Sequence, residues 1–174
     1  ILFWLEGFSP QFAIAKFISE KTDYDLYAII NVNQAKNFYE KQKFVKFKKR
    51  WYFRDCFKKK VTNPDLNYLS KLEEKYNINL WQVVYSDIIF NKFNKYYKFK
   101  ANEILSIFEQ ECLYFEAILD EVNPDFLIIR ITDSSDSQIL HQMCKARGIK
   151  ILTQEFSRLG LRETISSEPE IINS

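Results

Sequence analysis

Hydrophobic and polar positions alternate along this chain in blocks that predict a strand–helix repeat. Residues 1–5 form a short, continuous apolar run that ends at Glu6 and Gly7. Ser9 and Pro10 then supply a helix start with proline in the first turn, and Phe12, Ala15, Phe17 and Ile18 carry the apolar positions of a helix ending near Thr22. Residues 24–30, rich in aromatic and β-branched side chains, predict a second strand. The first thirty residues therefore have the spacing of a βαβ unit, which makes two strands parallel. A second helix is predicted over 34–43. Residues 44–57 alternate aromatic and basic side chains and suit either a strand with one solvated face or an extended arm. Asn63, Pro64 and Asp65 open a further helix with Leu66, Leu69, Leu72 and Tyr76 inward. Residues 80–85 suit a strand or the start of a short helix. Residues 88–99 are aromatic and lysine-rich and match no template.

The second half is clearer. Ile104, Phe108, Cys112, Phe115, Leu119 and Val122 recur at steps of three and four, predicting a long helix over 101–122. Asn123 and Pro124 end it. Residues 126–131 are a buried strand, 132–137 a polar loop rich in capping residues, 138–147 a helix stopped by Gly148, and 149–152 another strand. Helix, strand, loop, helix, glycine, strand at this spacing is a parallel-sheet signature. The expected fold class is α/β: a Rossmann-like three-layer sandwich with a mostly parallel sheet, spanning 1–165, with a polar tail over 166–174. The beginning in an apolar run and the polar end suggest one folded unit of a longer protein.

Composition narrows the function only a little. The 174 residues are 47% hydrophobic and carry a net charge of +2, which argues neither for nor against a polyanionic partner. Three cysteines, Cys56, Cys112 and Cys144, lie far apart and form no zinc or redox spacing, as expected of free thiols in a reducing, cytoplasmic setting. The single histidine, His141, sits in a predicted helix beside Ile139, Leu140 and Met143, where packing explains it better than catalysis. No run approaches the roughly 20 apolar residues of a membrane span. Only three glycines are present, and both the dinucleotide fingerprint and the phosphate-binding loop are missing.

Ligands of open α/β sheets bind beyond the carboxyl ends of the strands, and three predicted loops lie there. The first is Glu6, Gly7 and Ser9, where a glycine permits close backbone approach and a helix N-terminus favours anions; an ordinary strand-to-helix turn is the favoured explanation. The second holds Thr132, Asp133, Ser134 and Ser135. Its hydroxyls and carboxylates suit sugar hydroxyls, and Asp133 is a candidate general base toward an acceptor hydroxyl; helix capping accounts for part of it. The third holds Glu155, Ser157, Arg158 and Arg162. An arginine fork there would take phosphate or carboxylate, or form a surface ion pair with Glu155 or Glu163.

The most unusual composition is over 41–60, where ten basic residues are interleaved with six aromatics. Strand geometry would put Phe47, Lys49 and Trp51 on one face and Lys46, Lys48 and Arg50 on the other. Three readings remain open. Lys46, Lys48, Arg50, Trp51, Arg54 and Lys58 could meet an anionic membrane surface. The same residues could form a platform for single-stranded nucleic acid, the less favoured of the two contacts. Alternatively, the segment is an edge strand protected by lysines.

Four stretches together resemble the N-terminal region of capsule polysaccharide biosynthesis proteins and related surface-carbohydrate glycosyltransferases. They are Asn-Leu-Trp-Gln-Val-Val-Tyr-Ser-Asp over 79–87, Phe-Glu-Ala-Ile-Leu-Asp-Glu-Val-Asn-Pro-Asp-Phe-Leu-Ile-Ile over 115–129, Ala-Arg-Gly-Ile-Lys-Ile-Leu over 146–152, and Ser-Arg-Leu-Gly over 157–160. The resemblance covers roughly 80–165, and residues 44–62 have no counterpart in it. It implies a B-type architecture in which two Rossmann-like domains face each other, this chain being the half that binds a glycan or lipid-linked glycan acceptor. The nucleotide-sugar donor would then belong to a C-terminal domain of the same protein, no cofactor or metal would be held here, and the chain alone would not turn over. The location implied is cytoplasmic, peripheral at the inner membrane face. Two other readings stand beside it: a non-catalytic α/β module that binds nucleic acid or a protein through 41–60, and a sugar-nucleotide epimerase-like protein of the same paired-domain build.

Overall fold

The computed structural model describes residues 1–7, 10–32, 36–57, 63–130, 134–156 and 163–167. Its chain divides into two compact units, one comprising residues 1–55, 124–131 and 150–174, the other residues 56–123 and 132–149. The chain is α/β, with a mostly parallel sheet of Rossmann-like strand order.

The first unit carries the sheet. Its strands are β1 (Leu2–Glu6), β2 (Tyr27–Asn31), β3 (Lys49–Tyr52), β4 (Phe126–Arg130), β5 (Lys150–Phe156) and β6 (Glu163–Ser166), in the order β3-β2-β1-β4-β5-β6. All neighbours are parallel except β5 and β6. This is the doubly wound order, and it reverses between β1 and β4. Both sets of side chains along the central strands are buried, which is why β1 and β4 read as continuous apolar runs rather than alternating ones. Phe3, Leu5, Ala28, Ile30 and Ile128 face one side. There α1 (Pro10–Lys21) and α2 (Lys36–Lys41) add Ala15 and Tyr39 to the same core.

Two expectations change in this unit. Phe17 is exposed, and the buried positions of α1 are Gln11 and Ala15, one turn apart. The 41–60 segment is not one strand either. Only residues 49–52 pair, so the face alternation expected from Lys46 through Arg50 does not run through. Phe47 enters the α1-side core before pairing begins, and Arg50 and Tyr52, opposite Ala28 and Ile30, turn to that same side. Lys49 and Trp51 do share a face, with the lysine ammonium 4.9 Å from the indole centroid.

The second unit is helical: α3 (Leu66–Tyr76), α4 (Leu80–Ser86), α5 (Ile88–Asn91), α6 (Ala101–Val122) and α7 (Ser135–Ala146). Side-chain caps fix the starts. Asp65 accepts from the Tyr68 N–H, Asn79 from Gln82, and Asp87 from Ile89. The cap at Asn79 makes 80–86 a helix and settles the strand-or-helix ambiguity. Helices α3 and α6 end on left-handed asparagines, Asn77 and Asn123, and Gly148 (φ 71°) closes the turn after α7. The inward positions expected of α3 and α6 are buried at Leu69, Leu72, Tyr76, Ile104, Phe108, Cys112, Phe115 and Leu119. Leu66, in the first turn of α3, is instead exposed.

Candidate functional site

The carboxyl ends of β1 and β4 lie side by side where the strand order reverses. Glu6 ends β1 opposite Asn31, and its carboxylate accepts a 2.6 Å bond from the buried indole N–H of Trp4. Gly7 follows with φ at 55°, a left-handed turn that a side chain would strain, and a Cβ there would meet nothing within 4 Å. The Gly7 carbonyl is held by the Tyr39 hydroxyl at 3.3 Å.

Three polar side chains share the α1 side of the sheet at this end. Gln11 is the second residue of α1, 0% exposed, and neither its Oε1 nor its Nε2 has a hydrogen-bond partner. Arg130 ends β4 and pairs in register with Gln154 of β5, which is also buried. Ile128 and Leu152, one step back along the same strands, belong to the α1-side core, so strand alternation points Arg130 and Gln154 to that side. A buried carboxamide with no partner carries a desolvation cost of about 1–3 kcal/mol, so such groups are kept where something polar meets them. These three residues were not among the sequence candidates. Their signal was present: Arg130 is the one charged residue of the run Phe-Leu-Ile-Ile-Arg, and Gln11 occupies an inward helix position.

The sequence candidates are distributed differently. Ser9, Thr132, Asp133, Ser157, Arg158, Arg162 and Lys58 lie outside the described residues. Glu155 lies inside β5, paired with Thr164 of β6, rather than in a loop, because β5 runs four residues past the expected end. Ser135 is the first residue of α7 and Ser134 its cap, so the polar loop is shorter than expected.

The N-terminus of α7 is internally occupied. The Ser135 N–H donates to Asp87 Oδ2 at 2.8 Å, the Ser137 N–H donates to Asp136 Oδ1 at 2.7 Å, and the Ser134 hydroxyl donates to the same Asp136 oxygen. Glu111 of α6 is buried near these two aspartates. Burial, then repulsion from Asp136 and Asp87, pushes its carboxyl well above the usual range, favouring the protonated form. The Asp87 and Asp136 carboxylates here oppose an anion at this helix end. His141, further along α7, is buried.

Behind them a second network is structural. Glu116 accepts from the Tyr68 and Tyr76 hydroxyls, both at 2.8 Å, and from the Lys75 ammonium at 2.6 Å. Arg147 bonds the Tyr76 hydroxyl and Asp120. Burial alone would raise the Glu116 carboxyl, but these donors outweigh it and hold it below its ordinary value.

The three cysteines are free thiols. Burial pushes Cys144 up to about 12 and Cys112 well above its ordinary value, which keeps both inert. Among the described residues, no group of three or more His, Cys, Asp or Glu is arranged to hold a metal ion. No helix among them is long and apolar enough to cross a membrane.

The basic–aromatic segment is engaged with the fold. Lys48 pairs with Asp25 at 2.7 Å, and Arg50 donates to the Tyr39 carbonyl. Trp51 lies 6.3 Å from the Tyr27 ring, and Phe53 packs edge-on to Trp4 at 5.2 Å. Lys46 and Arg54 are exposed. β3 is an edge strand, the placement in which lysines discourage pairing with another chain. Comparison of the chain with protein-family models, with curated proteins and with solved structures finds no match.

Proposed function

We propose that this chain is the acceptor-binding domain of a surface-carbohydrate glycosyltransferase, and that it holds a glycan or lipid-linked glycan at the carboxyl end of β1, β4 and β5. The observation that carries the reading is the buried, unpartnered Gln11 carboxamide at the start of α1, on the same side of the sheet as Arg130 and Gln154 at the ends of β4 and β5. Carboxamides exchange paired hydrogen bonds with sugar hydroxyls, and a guanidinium takes a phosphate or diphosphate through its planar fork. The left-handed turn at Gly7 leaves room for close approach. The resemblance over 80–165 supplies the reaction class, with the nucleotide-sugar donor held by another domain and Asp133 as base toward the acceptor hydroxyl.

The test is titration calorimetry with a water-soluble, short-chain polyprenyl diphosphate sugar. Arg130→Ala should weaken binding at least tenfold. Gln11→Leu should weaken it several-fold while raising the melting temperature, because an apolar side chain of similar size removes an unpaired buried amide. Unchanged affinity in both variants would remove the site.

A further inference from the structure

Seven of the large apolar side chains exposed on this protein fall within 81–97. The core of that stretch is the segment 88–100, which belongs entirely to the helical unit. Ile88 and Ile89 of α5, with Phe93 and Tyr96 just after it, are between 45% and 75% exposed. Lys92, Lys95, Lys98 and Lys100 are exposed among them. The segment contains no acidic residue: the carboxylate before it, Asp87, is buried, and the next, Glu103, is spent on the Tyr97 hydroxyl and the Lys100 N–H.

The segment is held in place from beneath. Phe90 turns inward against Phe99 and against Phe108 of α6, at 5.3 and 5.8 Å between ring centroids. The Asp87 carboxylate caps the start of α5 at the Ile89 N–H. With Phe90 and Phe99 as the inward anchors, Ile88, Ile89, Phe93 and Tyr96 are left outward by the geometry of the turn itself. A compact domain seldom leaves such side chains contiguous in water.

We propose that residues 88–100 dock this protein onto an anionic lipid surface. Charge complementarity selects that partner. Four lysines with no opposing acid suit a negative headgroup layer, where each strengthens binding about fivefold. Isoleucine and phenylalanine suit the acyl boundary, and tyrosine the headgroup level. A protein partner of ordinary surface would leave the lysines unmatched. A single-stranded nucleic acid would use the aromatic rings but not the isoleucines. This inference is independent of the acceptor site: it needs no glycan and involves none of Gln11, Arg130 or Gln154.

The test is co-sedimentation of the chain with vesicles of phosphatidylcholine containing 30% phosphatidylglycerol, against phosphatidylcholine alone. Binding is expected to the anionic vesicles, and to fall as salt rises. K92E/K95E/K98E should reduce it at least tenfold, and Phe93→Ser several-fold, with circular dichroism unchanged in both. K46E/K48E/R54E should bind as wild type does. Three results would each overturn the proposal: no sedimentation with anionic vesicles, retention by K92E/K95E/K98E, or loss in K46E/K48E/R54E alone. Concentration-dependent self-association abolished by Phe93→Ser, without vesicle binding, would overturn it in favour of a second copy.

Discussion

Two segments of this chain have nearly the same composition and opposite fates. Residues 41–57 interleave aromatics with lysine and arginine, and residues 88–100 interleave them with lysine alone. In the first, Phe47 and Phe53 are buried, Trp51 and Tyr52 are half-buried, and Lys48 and Arg50 are tied to Asp25 and Tyr39. In the second, Phe90 and Phe99 face inward while the other apolar side chains stay out, and the side-chain hydrogen bonds seen there run from Asn91 to the Val84, Tyr85 and Asp87 carbonyls and from Tyr97 to Glu103. The difference is pairing. Residues 49–52 hydrogen-bond to β2, and that ladder fixes which side chains the core takes. Residues 88–100 join no sheet, so two inward rings suffice to anchor them. Composition announces an amphipathic segment, and the backbone partner decides whether its apolar half is used at home or remains available.

The sharpest way to break this contrast is to truncate one aromatic from each segment. Phe53→Ala should cost about 3–5 kcal/mol, since a buried ring packed on Trp4 leaves a cavity. Phe93→Ala should cost no more than about 0.5 kcal/mol, as surface substitutions do. Urea unfolding followed by circular dichroism measures both. Equal losses would place Phe93 in the core and end the distinction.

A smaller effect concerns the platform under the second segment. Glu111 lies in α6 one turn after Phe108, and its folded-state value is raised by burial and by Asp136 and Asp87. The folded protein therefore keeps a proton that the unfolded chain releases above its ordinary 4.5. Stability must fall as pH rises from that value through the folded one. Glu111→Gln should match wild type near pH 4 and melt at progressively higher temperature toward pH 8. Glu116 runs the opposite way. Its folded value is lowered, so its contribution is present above 4.5 and lost as pH falls through the folded value. A Glu111→Gln variant whose melting curve tracks wild type at every pH would refute the buried neutral acid.

The parts of the fold that were legible share a physical cause. β1, β4 and α6 are long or wholly apolar, so their periodicity survives without tertiary information. β6 was missed because it is a four-residue strand with one apolar residue, Ile165, paired with the far end of β5. α4 was ambiguous because seven residues are too few to establish a period, and the Asn79 cap decides it. At the candidate site, polar density drew attention to 132–137, where Ser134, Ser135 and Ser137 turn out to serve helix α7 itself. Gln11, Arg130 and Gln154 are scattered along the sequence in three different elements, and only strand order shows that they share one end of the sheet.

The contrast between the two segments is tested most directly by hydrogen–deuterium exchange of the intact chain with and without vesicles containing 30% phosphatidylglycerol. The account predicts slowed exchange over 88–100 on vesicle addition, with 44–57 unchanged because residues 49–52 already hold their ladder to β2. Protection confined to 44–57, with 88–100 unaltered, would contradict it.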